Sequence, residues 1–242
     1  MSRDVGGDRL RERAPEAGPG WDERAALSGL AAVLDPVGDP RKNAFLDLVQ
    51  QRGLRHELAA AAGRSVLDFG CGNGRLSAAL ARVGANVVGI DPSTSMLRAA
   101  AEAVPSATFV AAGDAGAIRD ASFDRVLSVM VLQYFQGDDL DAAVRDLVRV
   151  LRPGGRLVIV ENTADADLPR GSSRVRYSEA VEAAGLAVVS SHLLRRSDSR
   201  LFRRVLGWGR VGAALVTLEA RLDPRPLRGG AYGDLLLVGA KP

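Results

Sequence analysis

The sequence predicts an α/β fold, built as a doubly wound parallel sheet with helices on both faces. Two observations carry this prediction. From residue 65 onward, short apolar runs alternate with segments of helical periodicity, and a glycine loop follows the first of those runs. Strands that alternate with helices are joined by right-handed crossovers, which make the strands parallel and place helices on both faces of the sheet.

Composition limits the classes of protein to which the chain can belong. It has 242 residues, of which 47% are hydrophobic, so it can bury the core of one domain with short appendages. No apolar run approaches the ~20 residues of a membrane span. The one cysteine, Cys71, excludes an intrachain disulfide and favours a cytoplasmic location. The formal net charge of +3 does not by itself indicate a nucleic acid partner.

The first 62 residues precede the alternating pattern. Residues 1–20 combine Gly, Pro, Arg and Glu without hydrophobic periodicity, which predicts a flexible tail that is neither a signal peptide nor a transit peptide. Residues 21–62 predict a helical cover. It consists of one helix at 21–34, a break at "DPVGDP" and a second helix at 43–62, for which Asn43 is the candidate N-cap.

Residues 63–242 predict the main domain. Its strands are expected in the runs "SVLDFG", "NVVGID", "ATFVAA", "FDRVLSVMV", "RLVIVE", "LAVVSSHLL" and "DLLLVGA". Its helices are expected in "GRLSAALARV", "STSMLRAAAEAV", "DDLDAAVRDLVRVL" and "RYSEAVEAAG", with Ser93 as the N-cap of the second. A long insert at residues 193–233 separates the last two strands.

The glycine loop joins the first strand of the domain to its first helix. Gly70, Gly72 and Gly74 permit a sharp turn and a close approach of the backbone to a ligand. The following helix offers free N–H groups and a positive dipole end, which suit a carboxylate or a phosphate. The loop therefore predicts a nucleotide-binding crevice and leaves the nucleotide open.

Three aspartates narrow the choice of nucleotide. Asp91 ends the second strand, where an acid accepts hydrogen bonds from a ribose diol, and Asp114 follows the third strand, where an acid can accept from an adenine amine. Asp68 stands just before the loop, where it repels a diphosphate and attracts a cation. The Gly-x-Gly-x-Gly spacing also differs from that of dinucleotide binders. An adenosine with a cationic amino-acid tail is S-adenosylmethionine, which these acids favour.

On these motifs the chain resembles the class I S-adenosylmethionine-dependent methyltransferases. "VLDFGCGNG" is similar to the glycine motif of that superfamily, "VVGIDPSTSML" to its acidic second strand and "AAGDA" to its adenine-side acid. "FDRVLSVMVLQYF" and "LRPGGRLVIVE" resemble its fourth strand and the turn into its fifth. The resemblance covers residues 43–192 and 234–240. It implies a seven-stranded sheet with an antiparallel last strand, and S-adenosylmethionine as the cofactor.

The resemblance also implies the cofactor contacts. It places Asp68 at the methionine end, Asp91 on the ribose, Met96 beside the adenine and Asp114 at the adenine amine. It assigns Cys71 a backbone contact and no thiol chemistry. No metal is expected, because the sequence has no Cys/His cluster that suggests one. The expected cofactor-binding residues are Asp68, Gly70, Cys71, Gly72, Asn73, Gly74, Asp91, Pro92, Met96, Asp114, Ala115, Ser128 and Val129.

The sequence gives less information about the part of the site that would bind the methyl acceptor. The sulfonium has a good neutral leaving group, so positioning can supply much of the catalysis. A base is needed only if the acceptor is a protonated amine or a hydroxyl. The candidate catalytic residues are Tyr134 after the fourth strand, Glu161 at the end of the fifth and His192 at the end of the sixth. Each also has a structural interpretation as a packing or surface residue, as does His56 on the early helix.

The insert at residues 193–233 is rich in arginine. Nine arginines and three acids lie between residues 193 and 230, and Leu201, Val205, Trp208, Gly212 and Leu215 recur there at helical spacing. One interpretation is an amphipathic cover helix with a solvated basic face. A second is a lid over an acceptor that carries phosphate or carboxylate, because Arg binds both in a bidentate manner. Contact with a membrane surface or with RNA is a third.

The predicted function is methyl transfer to an oxygen, nitrogen or carbon atom of a small molecule. A secondary metabolite, a sugar and a lipid-linked intermediate all fit this description. The alternatives are a non-catalytic S-adenosylmethionine-binding protein and an RNA methyltransferase. The second alternative is disfavoured by an aromatic content of 5% and by the lack of an evident RNA-binding module. Asp68 and the glycine spacing disfavour a nucleotide-dependent oxidoreductase.

Overall fold

The computed structural model describes residues 20–27, 29–35, 37, 39–164, 171–223, 225, 227 and 231–242. Residues 1–19, which contain nearly all of the expected tail, lie outside the described residues. In the described part of the chain, no helix is both long and apolar enough to cross a bilayer.

One seven-stranded sheet organises the molecule, with the strands in the order β3-β2-β1-β4-β5-β7-β6. β7 is antiparallel to both β5 and β6, and the remaining pairs are parallel. The expected fold class, including the antiparallel last strand, is therefore confirmed. The strands are β1 Ser65–Phe69, β2 Asn86–Asp91, β3 Thr108–Ala111, β4 Phe123–Val129, β5 Leu151–Thr163, β6 Ala187–Arg196 and β7 Gly233–Ala240.

Helices cover both faces of this sheet. A short 3-10 helix, Leu132–Tyr134, follows β4. The α-helices of the described residues are α1 Trp21–Arg24, α2 Leu30–Val33, α3 Pro40–Ala59, α4 Arg75–Arg82, α5 Thr94–Ala103, α6 Gly137–Arg149, α7 Arg174–Ala183, α8 Arg200–Val205 and α9 Gly209–Leu222.

The core consists of two apolar layers, one on each face of the sheet. Along β5, Leu157 and Ile159 pack in the layer that contains residues of α6 and α7. Val158 and Val160 pack in the layer that contains residues of α3, α4, α8 and α9. Because both faces are buried, the central strands are apolar at successive positions, which is why they appear in the sequence as continuous hydrophobic runs.

The N-terminal cover differs from its prediction in two places. Residues 21–34 form two short helices instead of one, because Gly29 takes a φ of +61° between them. The second predicted helix begins at Pro40, where Asp39 caps it by accepting a hydrogen bond from the Arg41 amide at 2.8 Å. Proline at the first helical position favours this start. Asn43 is not the cap: it is buried, and its Nδ2 donates to the backbone oxygen of Asp35.

The insert also differs from the single apolar stripe that its spacing indicated. β6 extends to Arg196, and α8 and α9 follow it. α9 packs against α3 through small residues such as Gly212 and Ala213, whereas Trp208 is 60% exposed. A β-carbon at Gly212 would overlap the backbone oxygen of Val205. Val205 ends α8, so α9 approaches α8 closely at Gly212, where a β-carbon would also lie 3.0 Å from Cε2 of Phe45 on α3.

Candidate functional site

The glycine loop lies at the carboxyl end of β1 and takes the sharp turn that the sequence predicts. Gly70, Gly72 and Gly74 have φ angles of +68°, +52° and +79°, a region that favours glycine. A β-carbon at Gly70 would overlap the side chain of Val131, and one at Gly72 would lie 2.9 Å from Cγ1 of Val33. Both the backbone angles and the surrounding packing therefore require glycine here.

A cleft of about 740 Å³, including its open mouth, lies above the carboxyl ends of β1, β2 and β4. This volume suits a small molecule or a cofactor. We call it the first cleft. Its lining residues are Trp21, Val33, Asp68, Gly70, Cys71, Gly72, Arg75, Leu76, Asp91, Pro92, Val129, Met130, Val131 and Tyr134.

Asp91 connects the end of β2 to the glycine loop. Its Oδ2 accepts a hydrogen bond from the Gly72 amide at 3.0 Å, and its Oδ1 accepts from the Ser93 amide at 2.9 Å. Burial raises the pKa of Asp91 to about 6, although these two amides oppose the rise. The carboxylate thus orders the loop and still faces the cleft.

Asp68 is buried at the end of β1. Its Oδ2 accepts from the Ser77 hydroxyl at 2.6 Å. Burial raises the pKa of Asp68 to about 6, against the lowering effects of the Ser77 hydrogen bond and the nearby Arg75 charge. The Arg75 side chain donates hydrogen bonds to Asp47 and Gln50, two residues of α3 that hold it in place. Above about pH 6 the loop therefore carries a negative charge at its entrance.

The structure brings only some of the expected cofactor residues into the lining of the first cleft. Those that line it are Asp68, Gly70, Cys71, Gly72, Asp91, Pro92 and Val129. Those outside its lining are Asn73, Gly74, Met96, Asp114, Ala115 and Ser128. Asn73 donates to the backbone oxygen of Gly29, and Asp114 accepts from the Gly116 amide. Burial raises the pKa of the Cys71 thiol, which therefore stays protonated.

Tyr134 is the one candidate catalytic residue that reaches the first cleft. It ends the 3-10 helix after β4, and its ring meets that of Trp21 edge-on at a centroid distance of 5.9 Å. Sequence reasoning did not include Trp21 in the site, because a residue from the N-terminal cover gives no motif that would place it there.

Glu161 is not brought into the cleft. It is completely buried, and its carboxylate accepts from the amides of Val131, Leu132 and Gln133 at 2.9, 2.8 and 3.2 Å. Burial raises the pKa of Glu161 to about 8. It satisfies the free N–H groups that begin the 3-10 helix, so it supports the segment that carries Tyr134.

His192 lies neither at the end of β6 nor in the lining of the first cleft. It pairs with Leu236 in the middle of β6, which continues to Arg196, so the expectation that it ends the strand is wrong. Its Nε2 lies 2.8 Å from the Arg221 guanidinium. Burial, with the charges of Arg221 and Arg174, lowers the pKa of His192 to about 4. His56 is exposed on α3.

A second cleft adjoins the first and shares Trp21, Val33, Met130 and Tyr134 with it. Its other lining residues are Arg24, Leu34, Asp35, Lys42, Leu46, Gln50, Gln133, Asn162, Arg195, Tyr232 and Asp234. Arg195 comes from the insert, whereas Arg203 and Arg204 are exposed on α8 and line neither cleft. Sequence reasoning missed Asn162 and Asp234. A signal existed, since β7 is antiparallel and begins at the edge where β5 ends.

Comparisons with known proteins identify the family of the chain and support its fold. Residues 67–159 match a family model described as a methyltransferase domain. The O-methyltransferase resE of Aspergillus sclerotiorum is 30% identical over 187 residues, which cover 70% of this chain and 69% of that protein. A demethylmenaquinone methyltransferase of Thermobifida fusca is 37% identical over 144 residues, which cover 54% of this chain and 60% of that protein.

A solved structure shares the fold over its full length. The magnesium protoporphyrin IX methyltransferase of Synechocystis PCC 6803, whose crystal structure contains bound S-adenosylmethionine, has a TM-score of 0.62 at 16% identity. The comparison covers 100% of both chains. At this level of identity the similarity supports the fold alone.

Proposed function

We propose that this chain, which belongs to the S-adenosylmethionine-dependent methyltransferases, transfers the methyl group to an oxygen atom of a small-molecule acceptor in the second cleft. Two of its relatives, from Aspergillus sclerotiorum and Aspergillus nomiae, are named O-methyltransferases. The observation that carries the proposal is the junction of the two clefts at Trp21, Val33, Met130 and Tyr134. It allows two ligands to meet inside the protein.

The first cleft fits the cofactor. Above about pH 6, the Asp68 and Asp91 carboxylates give it the negative charge that a cationic ligand needs. We assign Asp68 to the ammonium group and Asp91 to the ribose diol. Each Asp91 oxygen already accepts one amide, and a carboxylate oxygen can accept a further hydrogen bond. We assign Asp114 and Met96 to the adenine end, beyond the present lining of the cleft.

The protein's own part in the reaction is positioning. When bound, S-adenosylmethionine supplies an electrophilic methyl group on a sulfonium. Holding an acceptor oxygen in line with that group removes much of the entropic barrier. As the methyl–oxygen bond forms and the sulfur–methyl bond breaks, the acceptor hydroxyl gives up its proton to solvent. Tyr134 and Trp21 form walls of both clefts, so they can orient the acceptor and exclude water. Glu161 acts indirectly, because it holds the 3-10 helix that ends at Tyr134.

Calorimetry and a metabolite screen test this function. We expect S-adenosylmethionine and its demethylated product to bind, NADH not to bind, and at least one acceptor in a panel of hydroxylated metabolites to gain the mass of one methyl group. Asp91→Ala should weaken cofactor binding by about 1.5–3 kcal/mol, the scale of hydrogen bonds to a charged group. Asp138→Ala, a change at an exposed carboxylate of α6, is the matched control.

Two outcomes would contradict the proposal in different ways. Tight binding of NADH without binding of S-adenosylmethionine would remove the methyltransferase assignment. Cofactor binding without methylation of any acceptor would instead favour a non-catalytic binding protein.

A further inference from the structure

A row of polar side chains crosses the sheet at the wall of the second cleft. Asn162 on β5 and Arg195 on β6 are both register partners of Asp234, which lies on β7 between them. Residues that pair directly on neighbouring strands project from the same face of a sheet. All three residues line the second cleft.

A chain of hydrogen bonds fixes the orientation of the Asn162 amide. Nε2 of Gln133 donates to the backbone oxygen of Met130 at 3.0 Å, so Oε1 of Gln133 is left to accept from Nδ2 of Asn162 at 2.8 Å. A backbone carbonyl only accepts, so flipping either amide would lose a bond. Oδ1 of Asn162 is therefore an acceptor. It is buried and has no hydrogen-bond partner among the described residues.

Asp234 presents a second acceptor of this kind. Its side chain is 1% exposed, and its Oδ2 accepts from Nε of Arg195 at 2.9 Å. Its Oδ1 is buried and, within the described part of the chain, has no partner. A buried acceptor that is left unpaired destabilises the protein. Two such atoms on neighbouring strands, in the wall of one cleft, can be satisfied by hydrogen-bond donors on a bound molecule.

The charges around Asp234 indicate which donor fits. A carboxylate or phosphate would set acceptors against acceptors, so neither suits this wall. The Arg195 guanidinium already neutralises Asp234, and it is held near the rings of Phe202 and Tyr232 at 5.5 and 5.1 Å. With that charge balanced, the wall favours a neutral donor over a cation. The neutral donor that an oxygen-methylating enzyme would meet is a hydroxyl group.

We propose that Asn162 and Asp234 form a hydroxyl-binding subsite that selects neutral aromatic acceptors with two adjacent hydroxyl groups. Paired residues on neighbouring strands have β-carbons about 4.5–5.5 Å apart, which allows their acceptor atoms to bind two such groups. Trp21 and Tyr134, at the junction of the clefts, supply aromatic walls for the ring. The subsite rests on the proposed function, because it takes the second cleft as the acceptor site. It selects against the anionic acceptor considered for the insert.

Catechol and 1,2-dimethoxybenzene test the subsite, because they share a ring and only catechol donates hydrogen bonds. The chain has two tryptophans, so Trp208→Phe leaves Trp21, in the lining of both clefts, as the fluorescent reporter. With the demethylated cofactor product bound, we expect catechol to bind at least tenfold more tightly than its dimethyl ether. Equal affinities, or no binding of catechol at millimolar concentration, would overturn the proposal.

Asp234→Asn distinguishes a subsite from a merely structural residue. The new amide should turn its oxygen toward the Arg195 donor, so its NH2 group would face the cleft in place of the Oδ1 acceptor. We expect the preference for catechol over the ether to fall at least tenfold, or to reverse. An unchanged preference would overturn the proposal.

Asn162→Leu, of similar size, provides an independent test should Asp234→Asn fail to fold. It should also reduce the preference for catechol, and an unchanged preference would again overturn the proposal. Calorimetry with S-adenosylmethionine on every variant separates the two levels of inference. Wild-type protein that does not bind the cofactor contradicts the proposed function, whereas normal cofactor binding with an unchanged catechol preference contradicts the subsite alone.

Discussion

At the scale of single residues, Asp68 and Asp91 determine the pH range in which the first cleft can hold a cation. Burial raises the pKa of both to about 6, while Arg75 opposes the rise at Asp68 and Asp22 adds to it at Asp91. A cationic cofactor favours the ionised carboxylates. We therefore expect its affinity to be constant above about pH 7 and to fall below pH 6, by about tenfold per pH unit for each protonated carboxylate.

Isothermal titration calorimetry from pH 8 to pH 5 measures this dependence. Asp68→Asn, which keeps the size of the side chain, should bind more weakly at pH 8 and show a shallower loss at low pH. An affinity that is the same at pH 5 and pH 8 would mean that neither carboxylate faces the positive charge.

Single residues also show which features of the site can be predicted from the sequence and which cannot. The three loop glycines could be predicted, because their positive φ angles are a local property of the backbone. The role of Glu161 could not, because strand-end position alone does not distinguish a carboxylate that faces a ligand from one that accepts three backbone amides. Asp234 was missed for a similar reason: its partners, Arg195 and Asn162, lie on two other strands.

At the scale of elements, the packing of α9 against α8 and α3 depends on Gly212. A β-carbon there would overlap the backbone oxygen of Val205 and would lie 3.0 Å from Cε2 of Phe45. Backbone cannot move aside as a flexible side chain can. Gly212→Ala should therefore lower the free energy of unfolding by about 1–3 kcal/mol, the usual cost of overpacking, even though alanine favours helix formation.

Gly207→Ala is the matched control, because a β-carbon at Gly207 would meet nothing within 4 Å. Urea unfolding monitored by circular dichroism compares the two variants. If Gly212→Ala proved as stable as Gly207→Ala, α9 would not be held closely against α8 and α3.

Element type was easier to predict than element boundaries. The central strands β1, β4, β5 and β7 follow from apolar runs that are largely buried, whereas the edge strands β3 and β6 are more exposed. The start of α3 was displaced because Asp39 and Pro40 compete with Asn43 as helix-start signals, and only Asp39 makes the capping bond. The exposed face of α9 could not be predicted, since β6 and α3 together cover its other face, and α3 lies more than a hundred residues earlier in the chain.

At the scale of the whole molecule, buried acids make folding depend on pH. Burial raises the pKa of Glu161 from 4.5 to about 8, so between these values the folded state holds a proton that the unfolded state has lost. The free energy of unfolding therefore decreases as pH rises through this window, by up to about 1.4 kcal/mol per pH unit. Asp68 and Asp91 act in the same direction, but only up to about pH 6.

His192 acts in the opposite direction, and only at lower pH. Its pKa falls from 6.5 to about 4 on folding, so it adds stability as pH rises between those values. Above about pH 7 His192, Asp68 and Asp91 have largely finished titrating in both states, so the range from pH 7 to pH 8 reports mainly on Glu161. Urea unfolding of the ligand-free protein should show a decreasing free energy of unfolding across this range, and Glu161→Gln, which cannot titrate, should remove the slope. The variant should also be less stable at every pH, because an amide nitrogen cannot accept from the backbone of the 3-10 helix. A wild-type profile as flat as that of the variant would show that Glu161 is ionised throughout the range, held so by the three amides that donate to it.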